Sequence, residues 1–261
     1  MAMLATILPQ RPCGTQRFAT DHRAADQVRP MVSGRMTVKL LQIINSAFFG
    51  LHRTIADVSE AVALLGLETL SALVLSAGIF SQLQCEGQQA RIDQLWEHCM
   101  AVGRRAKAIA HVEAPSVAVD AFTAGILHDV GELVVAVNLP QEYRAIQELV
   151  DQQLLTRAEA ECKVLGIRHT AIGAYLLELW GLPSPIVEAV AFHHNPSLYE
   201  SASFTPLTAV HLANILEHFP EEEVLAQPER FLDVSYLRKI GVLEKLPQWI
   251  RKDARGKTSA G

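Results

Sequence analysis

His98, His128, His169 and the adjacent pair His193–His194 fall on four successive stretches of helical periodicity, and Asp129 follows His128 directly. Imidazole nitrogens together with a carboxylate form a donor set that suits Zn, Mn or Fe. A helical bundle builds such a centre by sending one or two ligands inward from each helix. Taken alone, a histidine on a half-apolar helix face reads more readily as a hydrogen-bonded core residue. His111, His211 and His218 read that way, and His22 and His52 read as surface or loop residues. The ordered set H…HD…H…HH is what points to a single divalent metal. Asp129 is the one obvious carboxylate to offset the charge of a cation there. The four cysteines, Cys13, Cys85, Cys99 and Cys162, are scattered without ligand spacing. Cys99 and Cys162 lie within helical patterns and read as small buried apolar groups.

The elements that must position these residues are helical. The chain of 261 residues is 49% hydrophobic and 20% charged, which describes a globular protein with room for one large domain or two small ones. No run alternates apolar and polar residues over a strand's length, so the expected class is all-α. A net charge of -5 and the lack of any basic stripe argue against a nucleic-acid binder. Arg104, Arg105 and Lys107 read as one solvated helix face. No segment reaches about eighteen apolar residues unbroken, so no membrane span is expected. The opening "MAMLATIL" lacks the basic start of a signal peptide. A cytoplasmic, reduced protein is the expectation.

Residues 1–30 are poorly specified, punctuated by Pro9, Pro12, Gly14 and Pro30. Next comes "LLQIINSAFFGL", an apolar helix that carries Asn45 and Ser46 and stops near Gly50. Those two side chains are expected to hydrogen-bond backbone at the following turn, while Phe48 fills the core. Asp57 with Glu60 caps the next helix, which Gly66 ends. "CEGQQARI" reads as a linker between two subdomains. Beyond it, Asp93 and Ser116 read as caps, the latter for one helix running through "VAVDAFTAGILHDV". "TRAE" forms a capping box for a helix ending at Gly166, and "HTAIGAYLLELWG" runs from His169 to Gly181. Ser184–Pro185 and Thr205–Pro206 each pair an N-cap with a first-turn proline. One or two short helices close the chain around "VSYLRKI" and "KLPQWI".

The segments "WEHCMAVG", "AGILHDVGEL" and "GIRHTAIGAYLLELWGLPSPIVEAVAFHH" resemble the HD superfamily of metal-dependent phosphohydrolases. Ahead of them, "MTVKLLQIINSAFFGLHRTIADVSEAVALLGLETLSALVLSAG" resembles the first half of the HDOD domain, a bacterial signalling relative of those enzymes. Its hallmarks are an "NSA-F-G" helix and an "A--LLG" helix. The resemblance covers roughly residues 31–218. It implies an N-terminal helical bundle (31–84) packed on an HD-like bundle (93–218), with 219–261 as a C-terminal extension. His98, His128, Asp129, His169, His193 and His194 stand where the family's metal ligands would be.

The chain also departs from the family. Where HD enzymes close the site with an aspartate, "HLANILEH" has Asn214, a neutral and weaker ligand. Where catalytic HD-GYP relatives have a lysine after the HD glycine, this chain has Glu132, and "HHNPSL" replaces their GYP motif. Residues 1–30 do not match the family's opening, which implies a shortened or altered N-terminal part. The resemblance therefore implies a regulatory module of bacterial signal transduction that works through protein partners and is not an enzyme. The alternative is a metal-dependent phosphohydrolase acting on a nucleotide or another phosphoester.

Overall fold

The computed structural model describes residues 89–250 continuously, together with Ala61, Gly66, Thr69 and Leu70. The expectations for Asn45, Ser46, Phe48 and Gly50 lie outside the described residues. Gly66 sits at φ +80°, the left-handed conformation a helix-ending glycine takes. Ala61, Thr69 and Leu70 are buried, and Lys107 donates to Thr69 Oγ1 at 3.4 Å.

The described residues form helices and turns with no strand. Numbered from the first described helix, α1 is Gln89–Glu113, α2 Ala118–Leu127, α3 Val130–Asn138, α4 Pro140–Asp151 and α5 Arg157–Leu165. They are followed by α6 His169–Leu179, α7 Ser184–Phe192 and α8 Pro206–His218. Three short helices come next: α9 Glu221–Ala226, α10 Pro228–Phe231 and α11 Val234–Lys239. No single described helix is long and apolar enough to cross a membrane.

Helix α1 buries Ile92, Cys99, Val102, Ala106, Ile109 and Ala110, a stripe at three- and four-residue spacing. Val102, Ala106, Ile109 and Ala110 lie against α2 and α8, while Ile92 and Cys99 pack with Leu133 of α3. Each Val, Ile or Leu so buried contributes about 1.5–3 kcal/mol relative to exposure. The α1–α2 crossing is unusually close. A Cβ on Gly125 would lie 2.6 Å from the Gly103 Cα, so the two backbones touch there. Larger residues at either position would push α1 and α2 apart, and with them the histidines that follow and precede these glycines.

Several local expectations are corrected. Helix α1 is already formed at Gln89, inside the stretch read as a linker, so Asp93 lies within it and is not its cap. Arg91 anchors this stretch by donating to Gln147 Oε1 at 2.6 Å and Asp151 Oδ2 at 2.9 Å. Ser116 belongs to a 3-10 turn, Pro115–Val117, and α2 starts at Ala118. Ser184 is already helical, with Pro183 before it as N-cap. Arg105 is 3% exposed; its Nε donates to Glu217 at 2.7 Å and its Nη1 to Glu221 at 2.9 Å. A basic run on a helix therefore faces partly inward here, because acidic side chains at the end of α8 and the start of α9 meet it. Cys99 is buried as expected, but Cys162 is exposed, and so is His111.

Other expectations agree. Thr156 and Glu159 form the capping box, and Gly166 at φ +73° ends α5. Thr205 is the N-cap of α8, with Pro206 at its first position. His211 is a hydrogen-bonded core residue: its Nδ1 donates to the His193 carbonyl at 2.7 Å, and its Nε2 accepts from the Asp233 N–H at 3.2 Å.

The C-terminal part is more structured than two short helices and belongs to the core. Tyr236, Leu237 and Trp249 are buried in the same cluster as Val210 and Leu212 of α8. Asp233 holds this region together, accepting from the Ser197 N–H at 3.0 Å, the Tyr236 N–H at 3.1 Å and the Ser235 hydroxyl at 2.6 Å. Partial burial opposes its ionisation, but the hydrogen bonds from Ser197, Ser235 and Tyr236 outweigh it and bring its pKa down to about 2. Because the folded value lies below the ordinary 3.8, the carboxylate stabilises the fold above that pH and loses this effect as pH falls towards 2. Asp233→Ala is expected to cost about 1 kcal/mol at neutral pH, the usual value of a lost cap. Urea unfolding across the acid range should show the gap between the two proteins closing below about pH 4.

Candidate metal centre

The expected single helix through "AGILHDV" is broken at the residues that matter most. Helix α2 ends at Leu127, His128 and Asp129 form the turn, and α3 begins at Val130. A helix end leaves its last carbonyls without partners. His128 uses this by donating Nδ1–H to the Gly125 carbonyl at 2.8 Å, three residues back. His193 repeats the device at the end of α7, donating Nδ1–H to the Val190 carbonyl at 3.0 Å. In both, Nε2 is left to carry the lone pair and points inward.

His169 is also held at Nδ1, from the opposite kind of helix end. It is the first residue of α6, and Glu161 of α5 accepts both its backbone N–H at 3.0 Å and its Nδ1–H at 2.8 Å. Helix α6 passes so close to α3 that a Cβ on Gly131 would lie 1.9 Å from the His169 carbonyl oxygen. Only glycine fits at this crossing.

Asp129 is the N-cap residue of α3, but its carboxylate does not cap the helix. It turns inward to the histidines. Oδ2 lies 3.1 Å from His128 Nε2 and 3.9 Å from His98 Nε2, while Oδ1 lies 3.3 Å from His169 Nε2 and 3.6 Å from His193 Nε2. The buried Nε2 atoms of His128, His169 and His193 have no hydrogen-bond partner of acceptable geometry. Leaving such an atom unsatisfied costs about 1–3 kcal/mol each. Two donor sets meet on Asp129: one adds His98 and His128, the other His169, His193 and His194, with the ligand atoms of each set within 4.8 Å of one another.

The six residues picked out by type and spacing thus converge. His194 stands at the exposed rim with its ring 4.1 Å from that of His193 and 5.2 Å from that of His169. Asn214 is buried on α8, its Oδ1 3.1 Å from His98 Nε2. Burial and the neighbouring His128 push the His98 pKa down to about 4, so this imidazole is neutral at physiological pH. His169 differs. Burial opposes its charge, yet Asp129 and Glu161 raise its pKa to about 10. For Asp129, burial is likewise outweighed, and His128 and His169 hold the carboxyl well below its ordinary range.

Glu132 is also buried. Its Oε1 accepts from the Tyr143 hydroxyl at 2.9 Å and pairs with Arg157 Nη1 at 3.2 Å. Burial pushes its carboxyl pKa up, Arg157 notwithstanding. Three carboxylates, not Asp129 alone, therefore lie around the centre. Tyr143, Arg157 and His218 had no signal in type or spacing. Only Glu161 had a faint one, a carboxylate eight residues before His169 across the Gly166 turn. His218 was expected in the core; it is exposed, and its ring lies 4.6 Å from that of His98.

The sequence profile of the HDOD domain matches residues 24–196, well over half of the chain. This chain belongs to the HDOD domain family. A crystal structure of an HDOD domain protein of unknown function from Geobacter sulfurreducens superposes on this one with a TM-score of 0.69. The two are 23% identical, and 88% of this chain and 83% of that one are covered. A candidate phosphohydrolase from Shewanella amazonensis SB2B gives a TM-score of 0.65 at 22% identity, covering 89% and 84%. At these identities the likeness establishes the all-α HD-like fold. An uncharacterized protein of Treponema pallidum is 29% identical over 190 residues, 72% of this chain. The HDOD chain spans 36% of that relative's length.

Proposed function

We propose that this HDOD domain is a regulatory module of bacterial signal transduction that acts through protein partners. In this reading its His/Asp centre holds a divalent metal, Mn, Fe or Zn, and through it a phosphate-bearing ligand. The observation that carries it is the trio His128, His169 and His193. Each is oriented by a hydrogen bond at Nδ1, and each presents an unpartnered Nε2 to the Asp129 carboxylate. Ligating histidines are oriented in the same way, by a carbonyl or carboxylate on the other ring nitrogen.

His98, His128 and Asp129 would form one side of the ligand set and His169, His193 and His194 the other, with Asn214 beside His98. In the absence of a cation, the positive charge of protonated His169 lies between the carboxylates of Asp129 and Glu161; a metal would take that proton's place. The metal would supply Lewis acidity towards a phosphoryl group. The chain's own residues hold the donors in position: Glu161 steers His169, and the Gly125 and Val190 carbonyls steer His128 and His193.

Binding without turnover is the first reading, because Glu132 is committed to Tyr143 and Arg157 and a neutral Asn214 stands where an aspartate would close the site. Metal-dependent phosphoester hydrolysis is the second, favoured by a carboxylate that offers one oxygen to each of two donor sets. Elemental analysis of purified protein beside a His128→Ala/Asp129→Ala double variant tests the metal. Near-stoichiometric Mn, Fe or Zn is expected in the native protein only. Retention in the variant, or no uptake by either after soaking, would sink the reading. Turnover of bis(p-nitrophenyl) phosphate by the loaded native protein would decide for the second reading.

A further inference from the structure

The rings around the centre do not stop at His98. The His218 imidazole lies 4.6 Å from it, centroid to centroid, and tilted by 32°. The Phe219 ring is 6.4 Å beyond His218, and the Phe231 ring 4.7 Å beyond Phe219. The Arg230 guanidinium carbon stands 5.2 Å from the Phe231 centroid. A row of aromatic rings ending in a cation therefore leads outward from a candidate metal ligand, along the end of α8 and onto α10.

Packing accounts for only part of this row. Phe231 is half-buried against the core. Phe219, the C-cap of α8, has extended backbone and is 40% exposed, and His218 and Arg230 are exposed as well. Phe219 meets the His218 ring at 62° and the Phe231 ring at 45°, so neither neighbour is stacked flat on it, and its exposed part is open to a flat group. The cation at the far end of the row suits an electron-rich heterocycle.

We propose that His218, Phe219 and Phe231 with Arg230 form a stacking subsite for the base of a nucleotide whose phosphate sits at the metal centre. This rests on the phosphate-ligand reading above and names the rest of the ligand. The occupant is tied to the centre by continuity: the row begins on His98, so a ligand anchored there by its phosphate lays its remaining part along His218 and Phe219. Stacking of a base on an aromatic side chain is tolerant of base identity, so the subsite selects a nucleotide over a sugar phosphate more than one base over another.

The test uses the full chain loaded with Mn2+ and titrated with AMP, ribose 5-phosphate, inorganic phosphate and adenosine. AMP is expected to bind at least ~10-fold more tightly than ribose 5-phosphate, the lower range of base stacking. Phe219→Ala should weaken AMP by a similar ~10-fold and leave ribose 5-phosphate unchanged, while Phe219→Tyr retains AMP affinity. Equal affinity for AMP and ribose 5-phosphate, or an equal loss of both in Phe219→Ala, overturns the subsite. If neither ribose 5-phosphate nor inorganic phosphate binds, the phosphate reading fails, and adenosine alone judges the shelf. Adenosine binding that disappears in Phe219→Ala keeps the shelf; no adenosine binding overturns it. N-acetyltryptophanamide binding more tightly than adenosine would assign the row to a peptide side chain instead, and also overturns the proposal.

Discussion

Adding Mn2+ or Zn2+ to the metal-free protein at about a hundred times its dissociation constant is expected to raise the melting temperature by roughly 5–10 °C. The size follows from linkage: a ligand bound only by the folded state at that excess adds about 2.7 kcal/mol. The folded state alone assembles the donors, because His98, His128, His169 and His193 come from α1, the α2–α3 turn, α6 and the end of α7. Asp129→Asn is the informative variant. It keeps the side chain's volume but removes the charge that both donor sets share. The rise should be largely abolished. The metal-free variant should also melt lower, because His169 loses one of the two carboxylates that compensate its buried charge. A full metal-induced rise in Asp129→Asn, followed by differential scanning fluorimetry, would mean that the cation binds elsewhere.

The second large effect is expected from a single methyl group. Gly131→Ala places a Cβ 1.9 Å from the His169 carbonyl and 2.8 Å from the Gly173 nitrogen, so the first turn of α6 must move away from α3. Both obstacles are backbone, which cannot swing aside as a side chain would. Overpacking of this kind costs about 1–3 kcal/mol and occasionally more, and this collision belongs at the upper end. Metal affinity should fall with stability, by about 10-fold or more, because His169 would no longer sit opposite Asp129. Gly166→Ala provides the comparison. That glycine has φ +73° and nothing within 4 Å of an added Cβ. It should cost about 1 kcal/mol through backbone strain and leave metal uptake unchanged. Chemical denaturation and metal titration of the two variants separate a general loss of stability from a displaced ligand. Equal metal affinity in both would show that the α3–α6 contact does not hold the site.

Helical periodicity was legible along the chain because it depends on neighbours three and four residues apart, and the described residues follow it. So did the caps at Thr156 and Gly166, where both partners lie within a few residues. The errors have one physical form. Arg105 was read as solvated because its partners, Glu217 and Glu221, lie more than a hundred residues away. His218 was read as a core residue because the bend after α8 that exposes it is not written in its own helix. The break at His128–Asp129 is not marked in "AGILHDV" because the segment has no proline to stop a helix and its apolar residues continue on both sides of the turn.

Residue type and order alone determined the all-α class, the family, and the candidates His98, His128, Asp129, His169, His193 and His194. Each of these rests on short-range pattern or on the identity of groups able to donate to a metal. Tertiary structure alone decided that Glu161 orients His169, that Asp129 divides its two oxygens between two donor sets, and that Glu132 is taken up by Tyr143 and Arg157. It also decided that Phe219 and Phe231 continue the ring row begun at His98. The physical reason is range: a helix is specified by contacts within one or two turns, whereas a site is specified by how closely helices can cross. Here that closeness depends on the missing side chains of Gly103, Gly125 and Gly131.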